Sequence, residues 1–508
     1  MIERTAVRRA LVSVYSKDGV VDLGRALAEH GAQILSTGGT MAALRAAGLP
    51  VTEVADYTGF PEMLDGRVKT LHPMIHGGLL ARRDLPEHMD AIGRMGIGPI
   101  DLVCVNLYPF EETVADSRAT REDIIEKIDI GGPSMLRSAA KNHDSVAVLC
   151  DPADYAEVIA ALHEGGTTLE QRRRLAAKAF ARTSTYDGAI AHWFAQDSGM
   201  GHLRYGENPH QQAVFLPDAP ASGLGGAEIL PGGGKELSYN NYLDLDAALG
   251  CAADLPAPAA AVIKHTNPCG AATASTMAEA LARAWDGDPV SAFGSVIAVH
   301  GRFDRAAAEF LSTGQKFVEC LAAPDFEPEA VEILRTKPKW GKNLRLLRVP
   351  DLASRPRGFE ARRIAGGTLL MTSDPSNGYT ENLKVAGKQP IPPGREADLR
   401  LAITLAKHLK SNSIAIVSGG ILVGAGAGQM SRVDSARIAV EKAGSRARGA
   451  VAAGDAFFPF PDGVEVLARA GVIAVAHPGG SVKDAEVTAA ADAHGMCMIH
   501  TGVRHFRH

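Results

Sequence analysis

The sequence predicts an α/β protein built from mostly parallel sheets with helices on both faces. Short apolar runs such as residues 10–14 and 145–149 predict buried strands. Segments with apolar residues at helical spacing lie between such runs. This alternation is typical of parallel sheets, whose strands are apolar on both faces because helices cover them.

The amino-terminal part follows this rhythm from its first strand. Strand candidates are residues 10–14, 33–35, 101–106 and 145–149, and helix candidates are residues 20–27, 41–47, 134–140 and 170–194. A boundary falls near residues 196–203. We therefore predict a first domain over residues 1–198 and a second region over residues 199–508.

The second region begins a new α/β series. Its buried strand candidates are residues 258–263, 295–299, 413–417 and 471–475. The Pro-rich stretch around residues 389–393 separates two halves in which strands lead into Gly-rich turns and Ala-rich helices. This similarity suggests a divergent internal duplication, with a split near residues 365–395.

Composition excludes several classes of protein. A chain of 508 residues is long enough for about two to four domains. Hydrophobic residues make up 46% and charged residues 22%, a typical globular balance. The net charge is −5, no basic block is present and aromatic residues are only 5%, so we expect neither nucleic acid nor a membrane as a partner.

The chain shows neither a cleavable signal pattern nor an apolar run long enough to cross a bilayer. Its six cysteines are scattered and form no Cys-x-x-Cys pair, which argues against a zinc knuckle or a redox dithiol. Cysteines in apolar runs, such as Cys104, are typical small core residues of a reducing compartment. We therefore expect a cytoplasmic protein.

Two nitrogen bases, Lys264 and His265, follow the apolar run 258–263 directly. The next residues, 267–270 (Asn-Pro-Cys-Gly), are expected to turn the chain toward a helix that begins with a capping box at 276–279. Ligands of open α/β sheets bind at the carboxyl ends of strands, so the pair is well placed for chemistry. Taken alone, it is equally consistent with a solvated structural pair.

The segment Ser36-Thr-Gly-Gly-Thr40 lies between a strand and a helix. Glycines let the backbone approach a ligand, hydroxyl groups donate hydrogen bonds, and a helix N-terminus favours an anion. Ser13 and Lys17 follow the preceding strand and would complete a phosphate site. The alternative is a plain glycine turn with Thr40 as the N-cap.

The segment 65–73 (Asp-Gly-Arg-Val-Lys-Thr-Leu-His-Pro) is dense in polar groups and has little periodicity. Arg67 could bind a phosphate or carboxamide through its guanidinium group. Lys69 could act as a point charge or proton donor, and Thr70 is a further polar group. An exposed charged loop is the alternative interpretation. His72 and His76 have i, i+4 spacing, but no Glu follows His72, so we do not expect a metal there.

Three further candidates stand near predicted strand or helix ends. Tyr108 follows the strand 101–106, where a buried aromatic is the alternative interpretation. Asp129 precedes a Gly-Gly turn that opens the helix 134–140, and Lys141 closes that helix. Together with Lys69 they would form a proton-transfer set if the fold brings them together.

Taken together, these strings resemble those of the bifunctional purine biosynthesis family, in which IMP cyclohydrolase is joined to AICAR transformylase (phosphoribosylaminoimidazolecarboxamide formyltransferase). The resemblance runs from Val12 to the last residue. It rests on segments 65–73, 106–110, 128–132 and 139–143 of the first domain and on segments 203–211, 264–270, 288–294, 410–413, 426–432, 455–460 and 501–508 of the second region.

The resemblance implies two activities. The second region would transfer a formyl group from 10-formyltetrahydrofolate to the 5-amino group of AICAR, and the first domain would close the product, FAICAR, to IMP with loss of water. It also implies a methylglyoxal-synthase-like first domain, two cytidine-deaminase-like subdomains in the second region, and a homodimer whose transformylase sites draw on both chains.

For formyl transfer, the resemblance implies that Lys264 and His265 are the catalytic pair and that Asn412 orients the histidine. It places Arg204 and Tyr205 on the AICAR phosphate. Further substrate-contacting positions match at Gly294, Glu319, Arg432, Phe457 and Arg504, with Pro459 and Asp462 beside the folate. Position 319 holds Glu where some relatives have Asp.

For cyclisation, the resemblance implies catalytic roles for Lys69, Tyr108, Asp129 and Lys141. The nucleotide would be held by Ser13, Lys17, Ser36, Gly39, Thr40, Arg67 and Thr70. Deaminase-like scaffolds normally carry zinc on a His/Cys/Cys set, but the Pro-Cys-x-x-Cys pattern is missing here, so we expect no zinc. Some relatives bind a structural K⁺ near the strand that holds Asn412, so K⁺ stays open.

Two other functions remain as alternatives. The first is a nucleotide-sensing regulatory protein that kept the phosphate site and lost catalysis, against which Lys69, Tyr108, Lys264 and His265 argue. The second is a metal-dependent deaminase or hydrolase, which the missing metal ligands disfavour.

Overall fold

The computed structural model describes residues 3–64, 66–199, 201–218, 221–352, 359–374 and 383–508. Two compact units divide the chain, Met1–Met200 and Gly201–His508, and each is described by itself. Asp65 of the polar segment 65–73 lies outside the described residues, as does part of the predicted split near 365–395.

The amino-terminal unit is built on a five-stranded parallel sheet with the strand order β4-β3-β2-β5-β6. A short antiparallel pair, β1 with β7, lies outside it. The strands are β1 (Arg4–Thr5), β2 (Arg9–Val12), β3 (Gln33–Ser36), β4 (Val51–Glu53), β5 (Leu102–Cys104), β6 (Ala147–Leu149) and β7 (Thr167–Thr168). The helices are α1 (Val20–Glu29), α2 (Gly38–Ala46), α3 (Val54–Thr58), α4 (Pro73–Leu80), α5 (Pro86–Arg94), α6 (Phe110–Ala115), α7 (Arg121–Glu126), α8 (Gly131–Lys141), α9 (Tyr155–His163) and α10 (Leu169–Ser198).

The carboxyl-terminal unit contains a mixed sheet of 12 strands. Its strands are β8 (Glu228–Ile229), β9 (Ala259–Lys264), β10 (Asn267–Thr273), β11 (Ser295–His300), β12 (Val318–Ala323), β13 (Arg345–Arg348), β16 (Lys384–Val385), β17 (Ile414–Ser418), β18 (Ile421–Gly426), β19 (Val451–Gly454), β20 (Ala474–His477) and β21 (Cys497–His500), while β14 (Phe359–Ile364) and β15 (Gly367–Thr372) form a separate hairpin. The helices are α11 (Tyr239–Ala253), α12 (Met277–Gly287), α13 (Pro289–Ala292), α14 (Arg305–Ser312), α15 (Pro328–Thr336), α16 (Glu396–His408), α17 (Arg432–Ala443), α18 (Asp462–Arg469) and α19 (Asp484–Ala493).

The large sheet consists of two halves with the same topology. From the centre outward, the first half runs β10-β9-β11-β12-β13-β8 and the second runs β18-β17-β19-β20-β21-β16. In both halves the first two pairings are antiparallel, the next two are parallel and the outermost is antiparallel. The duplication that the sequence suggested is therefore present in the described strands, and β10 joins the halves by pairing with β18.

The two faces of this sheet are buried differently. One face packs with helices α11 and α16 into a single core that contains residues of both halves. The other face forms one core with α12, α14 and α15 and a separate core with α17, α18 and α19. The predicted α/β class is confirmed, with parallel strands throughout the first sheet and mixed pairings in the second. None of the described helices combines the length and apolarity that crossing a membrane requires.

One local prediction is wrong. Residues 267–270 (Asn-Pro-Cys-Gly) do not turn the chain but form the start of strand β10. The turn lies two residues earlier, at His265-Thr266, because Asn267 pairs directly with Lys264 of strand β9. The glycine of this segment serves packing instead: a Cβ at Gly270 would lie 1.9 Å from the carbonyl oxygen of Ala284 in helix α12.

Gly424 holds the corresponding place in the second half. A Cβ there would lie 2.1 Å from the carbonyl oxygen of Ala439 in helix α17. We therefore expect Gly424→Ala to cost about 3 kcal/mol of folding stability, because backbone cannot yield as a side chain does. Urea unfolding followed by circular dichroism measures this loss. Gly367→Ala is the matched control, since a Cβ at Gly367 meets nothing within 4 Å; equal stability of the two variants would contradict the close-packing explanation.

Candidate active sites

The first candidate site lies at the carboxyl ends of β2 and β3, which are neighbours in the sheet. Ser36 donates a hydrogen bond to the Val12 carbonyl (2.7 Å), and Thr40 both accepts from the Val14 amide (3.0 Å) and donates to its carbonyl (2.9 Å). These buried hydroxyls hold the loop after β2 in place. Ser13 lies in that loop and shares a 3.1 Å hydrogen bond with Thr37.

The solvent-exposed part of this first site is the start of helix α2. Gly38 and Gly39 are exposed, and no side chain caps the N-terminus of the helix. Free N–H groups at a helix N-terminus attract anions. A Cβ at Gly39 would lie 3.9 Å from Cε of Lys17, so this lysine stands beside the same helix start.

Two lysines lie close to each other near the start of helix α2. Burial and the positive charge of Lys69 lower the pKa of Lys17. The Lys17 ammonium donates hydrogen bonds to the carbonyls of Val14 and Tyr15 (3.0 Å for Tyr15). Two neighbouring cations beside a helix N-terminus repel each other until an anion lies between them, so this arrangement favours a phosphate.

The second part of the site is the set of Lys69, Tyr108 and Asp129. The Asp129 carboxylate accepts hydrogen bonds from the backbone N–H groups of Gly132 (2.8 Å) and Tyr108. Burial raises the pKa of Asp129, while these bonds and the charge of Lys69 oppose that rise. Thr70 adjoins the same group, because a Cβ at Gly131 would lie 2.7 Å from its hydroxyl oxygen. The Asp129 carboxylate, the Lys69 ammonium and the backbone of Tyr108 therefore lie close together.

Two predicted residues do not join this group. Lys141 ends helix α8, whereas Asp129 precedes its first residue, and an eleven-residue helix is about 16 Å long. Arg67 forms an ion pair with Glu126 in which both side chains are more than half exposed. Nδ1 of each of the two histidines has another partner: that of His72 caps helix α4 by accepting from the Met74 amide (3.2 Å), and that of His76 shares a hydrogen bond with Ser138 (3.1 Å).

The site of the carboxyl-terminal unit is built around the turn at His265-Thr266. Both residues have positive φ, 52° and 62°, and they connect β9 to β10 as a two-residue hairpin. Hairpins of this kind usually contain Asn-Gly, because side chains are strained at positive φ. Strain of about 1–3 kcal/mol per residue persists only where surrounding contacts enforce it, and such sites are often functional.

Two side chains hold the turn. Asp244 of helix α11 accepts a hydrogen bond from the Thr266 amide at 2.7 Å, and Asn267 donates to the His265 carbonyl at 2.9 Å. Burial raises the pKa of the Asp244 carboxyl, and the charges of His265 and Lys264 lower it, so the carboxylate faces both bases. His265 itself is exposed.

The backbone at Gly294 fixes the Lys264 ammonium. Its Nζ atom donates to the carbonyls of Phe293 (3.1 Å) and Gly294 (2.9 Å). Gly294 has a φ of +73°, and a Cβ there would lie 3.2 Å from Nζ, so a side chain at this position would crowd the lysine.

Glu319 lies on the neighbouring strand β12. It accepts a hydrogen bond from Asn241 (3.1 Å), and Arg345 lies 3.8 Å away. The negative charge of Glu319 raises the pKa of Asp244, so the two carboxylates share one environment.

Asn412 is placed differently from the expectation. Its amide group donates to the carbonyls of Gln429 (2.9 Å) and Met430 (3.2 Å), and its oxygen accepts from Arg432 (2.8 Å). In the described part of the chain these contacts, and none to the His265 ring, engage the side chain. Arg432 is also buried and forms a 2.7 Å ion pair with Asp455, so within this chain it supports its neighbours instead of facing an open site.

Hydrogen bonds nevertheless connect the His265-Thr266 turn to the segment that contains Asn412. The Asn267 oxygen accepts from the Lys410 amide (2.9 Å), and the Ser411 amide donates to the Arg507 carbonyl (2.9 Å). Ser413 donates its amide to Asp455 (3.0 Å). The turn, the segment 410–413 and the carboxyl-terminal tail therefore form one connected structure.

The remaining predicted residues lie on the surface. Arg204 stacks on Tyr205, with its guanidinium 5.4 Å from the ring centre, and their segment contacts helix α11 through Asn240 and the Glu207 carbonyl (3.2 Å). Arg504 lies over the Phe506 ring at 4.4 Å. Phe457 is half-buried, whereas Pro459 and Asp462 are exposed.

Comparison with known proteins identifies the family. The model of the AICARFT/IMPCHase bienzyme family matches residues 139–442, and the model of the MGS-like domain matches residues 19–134. The chain is 48% identical over 523 residues to the bifunctional purine biosynthesis protein PurH of Rhodopirellula baltica, with 100% of both proteins covered. This chain belongs to the AICARFT/IMPCHase bienzyme family.

A solved structure described as the crystal structure of ForH is 38% identical to this bienzyme. The alignment covers 37% of this chain and 98% of that one, with a TM-score of 0.33.

Membership confirms the resemblance read from the sequence motifs. The bienzyme has AICAR formyltransferase and IMP cyclohydrolase activities in IMP biosynthesis, and its formyl donor is a folate-type cosubstrate. The MGS-like match falls within the amino-terminal unit, as the predicted fold class required. A regulatory protein without catalysis and a metal-dependent deaminase or hydrolase are both excluded as descriptions of the chain.

Sequence reasoning missed Asp244 and the helix that carries it. The signal was present, because Ser238 and Asn241 form a capping box that opens α11 just before the Lys264-His265 strand. That helix brings Asn240 to the Arg204 segment, Asn241 to Glu319 and Asp244 to the turn.

We expect Asp244→Ala to lower kcat for formyl transfer about 100-fold, because a small displacement of the reacting bases has effects of this size. Asp244→Asn should recover most of the loss, since its side-chain oxygen can still accept from Thr266. Steady-state kinetics with AICAR and the folate donor measures both. Glu332→Ala, on an exposed position of helix α15, should behave as wild type; an Asn variant no better than the Ala variant would contradict a role in holding the turn.

Proposed function

We propose that the carboxyl-terminal unit transfers the formyl group of 10-formyltetrahydrofolate to the 5-amino group of AICAR at the Lys264-His265 turn. We propose further that the amino-terminal unit closes the product, FAICAR, to IMP. The strained turn, which presents an exposed His265 beside a fixed Lys264 ammonium, is the observation that carries the first assignment.

Formyl transfer has to overcome a weak nucleophile. The acceptor amine is conjugated to an imidazole with a carboxamide, so a base has to remove its proton as the new C–N bond forms. His265 is that base, because its imidazole is exposed and a ring nitrogen can accept the proton. The amine attacks the formyl carbon, and negative charge develops on the formyl oxygen.

Lys264 supports the same step from the other side. Its ammonium can stabilise the developing oxyanion, and it can donate to the folate nitrogen when the old C–N bond breaks. Tetrahydrofolate and FAICAR are then released. Asn412 contributes indirectly, through the connected segment 410–413, and its direct contact with the histidine remains a prediction from the family resemblance.

Substrate contacts follow from charge and position. Arg204 and Tyr205 bind the AICAR phosphate, for which an exposed guanidinium is suited. Gly294 contributes by accepting a hydrogen bond from the Lys264 ammonium through its carbonyl, and Glu319 places a carboxylate beside Asn241. On the basis of the family resemblance, we further propose substrate or folate contacts for Arg432, Phe457, Pro459, Asp462 and Arg504. Of these, Arg432 would act by supporting Asn412.

Cyclisation is intramolecular, so positioning supplies much of the rate enhancement. The carboxamide nitrogen attacks the formyl carbon, Asp129 accepts the amide proton, and the formyl oxygen becomes a hydroxyl group. This group leaves as water after Lys69 or Tyr108 has protonated it, and the formamide nitrogen loses its proton as the C=N bond of the ring forms. The exposed glycines of helix α2 with Lys17 hold the phosphate, while Ser13, Ser36, Thr40 and Thr70 shape the pocket. Arg67 and Lys141 are proposed from the resemblance alone.

Neither step requires a metal. The proposal of no zinc rests on the missing Pro-Cys-x-x-Cys pattern, which supplies the thiolate ligands of deaminase-like zinc sites. The structural K⁺ of some relatives also stays a prediction: the buried Asp455 near Asn412 already pairs with Arg432 and accepts from Ser411 and Ser413, so this carboxylate does not call for a cation.

We also propose a cytoplasmic homodimer with transformylase sites at its interface and no nucleic-acid or membrane partner. The hairpin of β14 and β15 supports the dimer. Its exposed apolar side chains, Phe359, Ile364, Leu369, Leu370 and Met371, would be covered by a partner. Isolated two-stranded hairpins are only marginally stable, so a second chain would stabilise this one.

The two-site proposal predicts separable losses. His265→Ala should lower formyl transfer by about 100-fold or more, because general-base catalysis contributes effects of this size, and should leave cyclisation of supplied FAICAR intact. Lys69→Met should do the reverse and let FAICAR accumulate. Folate release and IMP formation are followed separately from AICAR and 10-formyltetrahydrofolate. Exposed His494→Ala and Lys384→Met are the controls; parallel loss of both activities in either active-site variant would refute two separate sites.

The environment of Asp129 predicts how kcat of cyclisation falls at low pH. Because burial raises the pKa of this carboxyl, it protonates at a higher pH than an ordinary Asp (~3.9). A protonated Asp129 cannot accept the amide proton, so activity is present above its pKa and is lost as pH falls through it. A pH profile of kcat with FAICAR tests this, with circular dichroism to verify folding. Full activity down to pH ~3.9 would contradict the assignment of Asp129 as the base.

A further inference from the structure

Three buried polar atoms without partners meet at one place in the carboxyl-terminal unit. They are Nε2 of His477, Oδ1 of Asp484 and Nε2 of His500. The three side chains offer ligand atoms that all lie within 4.8 Å of one another. Buried polar atoms normally have a hydrogen-bond partner, so such a cluster calls for something that fills it.

The backbone brings these side chains together. His477 ends strand β20 and His500 ends strand β21, and the two residues are direct neighbours in the parallel register. Asp484 is the first residue of helix α19, and its other oxygen accepts from the amides of Gly480 (2.6 Å) and Ser481 (3.2 Å). One carboxylate oxygen therefore fixes the loop while the other is free toward the histidines.

Two imidazole nitrogens and a carboxylate oxygen are ligands that zinc and related divalent ions prefer. We propose that His477, Asp484 and His500 bind a divalent transition-metal ion, Zn²⁺ or a close substitute. A water molecule would take the fourth position, since Asp484 and His500 are only half-buried. This site is distinct from the formyl-transfer site, where we expect no zinc, and it does not depend on the mechanism proposed there.

Metal binding would draw the three side chains closer together. Two atoms bound to one tetrahedral zinc ion lie about 3.4 Å apart, so side chains whose ligand atoms lie within 4.8 Å of one another have to close by up to about 1.4 Å. His477 is fully buried. Its Nδ1 accepts from the Gly479 amide at 3.1 Å, so Nε2 carries the proton when the site is empty.

Metal binding at Nε2 therefore has a defined consequence for the neighbouring loop. The ring proton moves to Nδ1, and the Gly479 amide has to turn away from it. The adjoining Gly479 and Gly480 both have positive φ, 72° and 92°, and this glycine pair is the part of the loop best able to change conformation. The ion would then tie β20, β21 and α19 together.

The site also adjoins the group around Asn412. The ring of Phe458 lies 5.5 Å from that of His477 and 5.8 Å from the Arg432 guanidinium. A metal that fixes His477 would steady this aromatic ring and, through it, Arg432.

Zinc binding to the full-length protein tests the proposal. Protein stripped with EDTA is titrated with Zn²⁺ by calorimetry, and Co²⁺ absorption spectra report the ligand set. Asp484→Asn keeps an oxygen for the Gly480 and Ser481 amides but removes the charge, and His500→Gln removes an imidazole at a half-buried position. His494→Ala, an exposed histidine that follows helix α19, is the matched control for adventitious binding.

We expect one tight zinc per wild-type and His494→Ala chain, with affinity at least tenfold weaker in Asp484→Asn and His500→Gln. Zinc should also raise the melting temperature of wild-type protein but not of these two variants, because only binding to the folded state stabilises it. Absence of tight zinc in folded wild-type protein, or equal affinity in all four proteins, would overturn the proposal and leave a water molecule as the occupant of the cluster.

Discussion

The structure of the carboxyl-terminal unit depends on one shared hydrophobic core. Helices α11 and α16 cover the same face of the 12-stranded sheet, and their apolar residues pack with strands of both halves. At the centre, β10 pairs with β18, which joins the halves edge to edge. Because neither half can bury this face alone, the two duplicated parts are held as one unit. This constraint brings the turn after β9 in the first half next to the segment 410–413 before β17 in the second, where Asn267 bonds to Lys410.

The shared core also explains how a strained turn can persist. Residues with side chains at positive φ raise the energy of the folded state, and several fixed contacts have to compensate. Helix α11 supplies one of them through Asp244, and β10 supplies another through Asn267. Both contacts come from elements that the core fixes, so the position of His265 is determined by the packing of the whole unit. An exposed base on a rigid support is suited to proton transfer, because little reorganisation is needed when substrate binds.

Local patterns in the sequence predicted much of the fold and failed where long-range contacts decide. Buried strands such as β5 and β17 were found because their apolar runs reflect burial on both faces. The segment 267–270 was assigned to a turn because Asn, Pro and Gly are turn formers, yet Gly270 is needed for the approach of helix α12. Asp129 and Lys141 lie at opposite ends of helix α8, and their places on either side of the predicted helix 134–140 already implied this separation. Asp244 was missed because its function is a contact across 22 residues of sequence, which no spacing rule reports.

In the amino-terminal unit, the predicted phosphate-site residues divide into those that would contact the anion and those that support the loop beside it. Ser36 and Thr40 belong to a segment that resembles a phosphate loop, but their hydroxyls are buried and bond to the backbone at the end of β2 and in the loop after it. Their effect on a ligand is therefore indirect: they fix the loop from which Lys17 reaches the start of helix α2. What remains for the anion is backbone N–H and two lysines whose mutual repulsion an anion would relieve. Lys69 is close enough to act electrostatically on both Lys17 and Asp129, so a phosphate bound at the proposed position beside Lys17 would also change the electrostatic environment of Asp129.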